Sequence, residues 1–146
     1  MEHLTTDELD RRWADVEAAV DATPGIDPWC SGPDWQLPVI EGFAPNAPRL
    51  LLATDDGTGF AMLARYQDPA GTEVLSGLEP LWGFGCPVSG PDLGSVGGAL
   101  AAELAAGLAT DEATGRPWQM LILPGLPPIG RLDGPSAAAG DAGRDT

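Results

Sequence analysis

The stretch that decides the fold runs from Arg49 to Leu78. It opens with Arg49-Leu50-Leu51-Leu52-Ala53-Thr54 and turns at Asp55-Asp56-Gly57. It resumes as Gly59-Phe60-Ala61-Met62-Leu63-Ala64-Arg65-Tyr66, turns again at Asp68-Pro69-Ala70-Gly71, and ends as Glu73-Val74-Leu75-Ser76-Gly77-Leu78. Each run is short and apolar, and each is bounded by Asp, Pro and Gly, the residues that tight turns demand. Three strands joined by such short turns have no room for a crossover, so they form an antiparallel meander.

The pattern on either side of the meander is helical. Thr5-Thr6-Asp7-Glu8 has the form of a capping box, in which Thr5 accepts from the backbone and Glu8 reaches back. Leu9, Trp13, Val16 and Val20 follow on one face, which predicts a helix over about Thr6 to Val20 that stops at Thr23-Pro24-Gly25. The residues before it, including His3, are expected to fray. Ser31-Gly32-Pro33-Asp34 repeats a start signal, with Ser31 in the capping place, and Trp35, Val39 and Phe43 follow at helical spacing. Pro38 within that pattern predicts a bent or shortened helix.

Beyond the meander lies a Gly/Pro/aromatic loop, Glu79-Pro80-Leu81-Trp82-Gly83-Phe84-Gly85-Cys86-Pro87-Val88-Ser89-Gly90-Pro91. Asp92 or Ser95 then caps a helix carrying Val96, Leu100, Leu104 and Leu108 on one face. Gly97, Gly98 and Gly107 weaken it by roughly 1 kcal/mol each relative to Ala. Close packing of these glycines on a sheet would compensate. Pro117-Trp118-Gln119-Met120-Leu121-Ile122-Leu123 reads as a returning strand, and its continuous apolar run suits burial on both faces. From Arg131 the chain is mostly Gly, Ala, Ser, Asp and Pro, a composition that builds no core and predicts disorder.

The expected fold class is therefore α+β: a small mixed, mainly antiparallel sheet, made of the three-strand meander plus a returning strand and packed with helices. The expected organisation is an N-terminal helix over residues 1–22, a single α+β lobe over 23–130 and a disordered tail over 131–146. With 146 residues and 43% hydrophobic content, one core is the natural outcome.

Composition excludes much chemistry. There are 22 acidic residues against 7 basic ones, giving a formal charge of -15, so nucleic acid and anionic membrane surfaces are poor partners. All the basic residues are Arg, which removes Schiff-base chemistry and the lysine of a phosphate-binding loop. The single histidine, His3, leaves no Ser-His-Asp triad, Cys-His pair or His-rich metal site. Cys30 and Cys86 lack zinc spacing and read as reduced structural thiols, with a disulfide or a reactive thiol as the alternatives. No leader or membrane-spanning pattern is legible, so the expected location is the cytoplasm.

No residue is marked as catalytic and none as a metal ligand. The substrate-binding candidates are Glu79, Trp82, Phe84 and Cys86. The two aromatics would line a pocket and the carboxylate would orient an amine or hydroxyl. The competing reading is a packed loop that covers one end of the sheet. Gly83-x-Gly85 lacks the third glycine of a nucleotide loop, because Ser89 stands there. Asp92-Leu93-Gly94-Ser95-Val96-Gly97-Gly98 carries no cation to hold a phosphate. Asp55-Asp56 is explained by the turn, and Asp34 and Glu41 by an exposed helix face.

One family has this order of elements. The segment Asp27-Pro28-Trp29-Cys30-Ser31-Gly32-Pro33-Asp34-Trp35-Gln36-Leu37-Pro38, the meander, the loop Leu78-Glu79-Pro80-Leu81-Trp82-Gly83-Phe84, and the helix leading to the Trp118 strand resemble the N-terminal lobe of two-lobed GNAT-type acyltransferases. These are the Fem-like and cellulose-biosynthesis-like group. The resemblance covers roughly Asp27 to Pro128. It implies a GNAT-like lobe on the acceptor side, with the acyl-donor chemistry carried by a second lobe. The family's pyrophosphate loop, Q/R-x-x-G-x-G/A, is not matched: Arg65 is followed by Tyr66-Gln67-Asp68 and Arg116 by Pro117-Trp118-Gln119. The resemblance thus implies no cofactor in this chain, acyl-CoA only with a second lobe, and that lobe or another protein as partner. The rival expectation is a small acidic binding module of inhibitor or immunity type, steered by charge to a basic partner.

Overall fold

The computed structural model describes residues 1–108 and 118–127. The expected tail over 131–146 lies outside the described residues. The fold is mixed α+β, built on a six-stranded, mostly antiparallel open sheet. The meander is present as β2 (Arg49–Ala53), β3 (Phe60–Gln67) and β4 (Glu73–Gly77), paired antiparallel. Its first turn is held by Asp56, whose carboxylate accepts from the Thr58 amide at 3.1 Å and from the Thr54 hydroxyl at 2.6 Å. Its second turn is held by Asp68, which accepts from the amides of Ala70 and Thr72.

The N-terminus is not frayed. Glu2–Leu4 forms β1, an edge strand antiparallel to β2. Its His3 ring nitrogen lies 3.1 Å from Glu103 on the far helix. The capping box forms as read: the Glu8 amide donates to Thr5 Oγ1 and the Thr5 amide to Glu8. The single helix expected over Thr6 to Val20 is two, α1 (Thr6–Arg11) and α2 (Trp13–Asp21), broken at Arg12. Arg12 leaves helical dihedrals and lays its guanidinium over the Phe60 ring, 5.1 Å from the centroid, while pairing with Glu2. Tertiary contact has overridden a continuous helical pattern.

The second helical segment also divides, into α3 (Pro28–Ser31) and α4 (Pro33–Phe43). Asp27 caps α3 by accepting from the Cys30 amide. Gly32, not Ser31, holds the N-cap place of α4, with Pro33 in its first turn. The helix continues through Pro38 to Phe43 and is not cut short.

Strand alternation sends two sets of side chains to two cores. Leu51, Ala53, Phe60, Met62 and Ala64 pack with Leu9, Val16, Leu37 and Ile40 of the helices α1, α2 and α4. Leu52, Ala61, Leu63 and Leu75 pack with Val96, Leu100 and Leu104. Those last three come from α5 (Leu93–Glu103) and the π-helical turn Leu104–Leu108 that continues it. Asp92 is the N-cap of α5, accepting from the Ser95 amide at 3.1 Å. Before it, Val88–Ser89 forms β5, a two-residue strand against the start of β3 that the sequence pattern did not reveal.

The returning strand is β6 (Met120–Ile122), parallel to β4 and at the edge of the sheet. It is not buried on both faces. Leu121 packs on the α5 side, whereas Met120 and Ile122 are 47% and 45% exposed. These two stand in register with Val74 and Ser76, on the face where α1, α2 and α4 cover the other end of the sheet. Among the described residues the helical layer stops short of β6 and leaves an apolar shelf. No described helix is long and apolar enough to cross a membrane.

Candidate functional site

The loop after β4 splits into residues that face inward and residues that face out. Glu79 is 1% exposed. Its two carboxylate oxygens accept from the backbone amides of Trp82 and Phe84. A charged acceptor for two amides shapes a tight turn, and Gly83 completes it at φ +67. The Tyr66 hydroxyl donates to the Leu78 carbonyl at 3.2 Å just before the turn. Burial pushes this phenol up to about 12; the nearby negative Glu79 adds to the rise and Arg49 opposes it.

The other end of the loop is pinned to α3 and α4. A Cβ on Gly85 would lie 2.3 Å from the Cys30 carbonyl oxygen, so the backbones touch where only glycine fits. The Cys86 amide donates to Ser31 Oγ at 2.9 Å, and buried Gln36 donates to the carbonyls of Ser31 and Cys86. Ser31, expected to cap a helix, instead ties the loop down. Gly125, at φ +64 in the turn after β6, closes on the Gly85–Cys86 peptide from the other side.

Of the four expected site residues, the structure therefore separates two from two. Glu79 and Cys86 are buried and hold the loop's shape. Neither meets solvent. The Cys86 thiol donates to the Val88 carbonyl and is pushed up by burial. Cys30 is likewise pushed up, first by burial and then by Asp27 and Glu79. Both thiols are free, and among the described residues no cation acts on either to make a nucleophile. Trp82 and Phe84, 48% and 60% exposed, point outward together with Leu81. Trp82 stands between Trp35 (centroids 6.0 Å) and the edge of Phe43 (5.6 Å), both on α4. Among the described residues these side chains form an aromatic ridge, on the same side of the sheet as the Met120–Ile122 shelf.

The carboxylates fall into two groups. Asp56, Asp68, Asp92 and Glu8 are held below the usual carboxylate range, chiefly by bonds from neighbouring hydroxyls and amides. Asp56 and Asp92 line a hollow of about 550 Å³ between the first meander turn and α5, where turn and cap already occupy them. Glu17, Asp21 and Asp34 line a second hollow, of about 480 Å³, beside Trp29. The sequence reading missed it. The signal was Asp27-Pro28, a cap and first-turn proline that start a helix of one turn and leave Trp29 facing out. Among the described residues no cluster of His, Cys, Asp and Glu has the makings of a metal site.

No family model, curated protein or solved structure matches the chain.

Proposed function

We propose that this chain is the acceptor-side lobe of a two-lobed GNAT-type acyltransferase and works only against a second lobe. The observation that carries the reading is the open apolar shelf of Met120 and Ile122 at the sheet edge, on the same side as Trp82 and Phe43. Adjacent exposed apolar groups of this kind mark surfaces that another domain covers. The order of elements supports the same reading, since helices, meander, crossover helix and parallel returning strand follow one another as the resemblance expects. In this role the chain supplies one wall of an acceptor groove, and acyl-CoA binds the other lobe.

The test is the mass of the native species in the cells that make it, measured intact and under conditions that preserve complexes. The expected result is a species well above the 15.0 kDa of this sequence, either one longer chain or a complex with a second polypeptide that transfers acyl groups. A native monomer of 15.0 kDa overturns the reading.

A second reading, a small acidic binding module without catalysis, is favoured by a different observation. Glu17, Asp21 and Asp34 crowd one hollow with no basic partner among the described residues.

A further inference from the structure

We propose that the hollow beside Trp29 docks an arginine-bearing segment of a protein partner. The floor is apolar, made by Val20 and Pro33, and Trp29 stands at its side with 69% of its surface exposed. The rim carries Glu17, Asp21 and Asp34. Among the described residues none of the three has an ion pair or side-chain hydrogen bond. Most other described acids are used: Glu8, Asp56, Asp68 and Asp92 hold backbone amides, and Glu41, Glu73 and Glu103 face Arg49, Arg65 and His3. Asp7 and Asp10 on α1 are also exposed, but they lie outside this hollow and away from Trp29.

Asp21 also ends α2, where the helix dipole disfavours a negative charge, so helix stability does not account for it. An apolar floor, an exposed indole and an unbalanced acidic rim complement one kind of side chain. Its aliphatic stem lies on Val20 and Pro33, its cation faces the indole, and its donors reach the carboxylates. Arginine fits better than lysine, because its planar guanidinium is less strongly hydrated and both stacks and forks. The net charge of -15 steers such a partner toward the chain.

The proposal stands apart from the acyltransferase reading. Native mass tests that reading, while peptide binding tests this one.

The experiment is fluorescence anisotropy of the full chain with a labelled hexapeptide alternating arginine and leucine. The control is the same peptide with citrulline for arginine, which keeps the shape and removes the charge. We expect the arginine peptide to bind at low salt about tenfold more tightly than the citrulline one. The double variant Asp21→Asn/Asp34→Asn should weaken binding roughly three- to tenfold, and Trp29→Ala roughly two- to fivefold. Asp7→Asn/Asp10→Asn removes the same charge from exposed carboxylates on α1, outside the hollow. It should cost less than about twofold. Equal losses in the two double variants would reduce the effect to diffuse charge and overturn the site. So would an unchanged affinity in Trp29→Ala, or no binding by the unaltered chain. All five side chains are exposed, so a lost fold is not the expected cause of any change, and thermal melts of each variant check this.

Discussion

The loop after β4 and the helix α5 are both rich in glycine, and they use it in opposite ways. In the loop, Gly85 lies against the Cys30 carbonyl with no room for another atom, and buried Glu79 holds the amides of Trp82 and Phe84. In α5, Gly97 and Gly98 have open space where a side chain would stand. The sequence pattern makes the helix glycines the expected close contacts with the sheet, and leaves the loop either as a pocket lining or as a packed cover for the sheet end. The expectation reverses for Gly97 and Gly98, and the loop is the packed segment. The close approach of α5 is made by Val96, which packs over Gly59 and Gly90 at the end of the sheet. Composition identifies a residue that can make a close contact, but only the opposing backbone decides whether it does.

The sharpest way to break this contrast is Gly85→Ala. The added carbon would lie 2.3 Å from a backbone oxygen, and a carbonyl in a capped helix cannot swing aside as a side chain can. We expect a loss of about 3 kcal/mol or more, hence a melting temperature lower by about 10 °C. A variant that melts with the parent would show that the loop and α3 are not in contact. Glu79→Gln comes next. The carboxamide accepts through one oxygen only, so the amide of either Trp82 or Phe84 loses its acceptor and meets a donor. About 2 kcal/mol is expected from urea unfolding. Hydrogen exchange should show the loss concentrated at those two amides.

Much of the fold was legible because local rules and tertiary packing agreed. Asp55-Asp56-Gly57 and Asp68-Pro69-Ala70-Gly71 close turns with their own side chains, so the meander follows from local chemistry alone. The capping box at Thr5 and the cap at Asp92 are equally local. What escaped was decided at a distance. The break at Arg12 depends on Phe60, far along the chain. β1 and β5 are too short to show a period, and exist because β2 and β3 offer them partners. The burial of β6 was misread because a strand does not announce that a helical layer will fail to reach it.

The site was legible only in part, for the same reason. Trp82 and Phe84 were found as aromatics in an unusual loop, and they do reach the surface. Glu79 and Cys86 have types that suit a site, yet Ser31, Gln36 and the loop's own amides draw them inward. Trp29 entered the sequence reading only through the resemblance, because a helix of one turn carries no periodic signal. Its exposure comes from the Asp27 cap and Pro28, which fix where that single turn begins.

The smallest expected effect is on the other side of the comparison and has the opposite sign. Gly98 lies within α5 on an exposed position, and an added Cβ meets nothing within 4 Å. Its backbone is already helical, so alanine needs no new conformation and introduces no clash. What changes is the unfolded chain, where alanine has fewer states to lose. Gly98→Ala should therefore stabilise the protein by about 0.5–1 kcal/mol, raising the melting temperature by about 2–4 °C. The same one-carbon addition thus separates the two regions by sign. If Gly98→Ala destabilised the protein, that position would have to be covered by something in solution. A partner would be the place to look, since nothing among the described residues lies within reach.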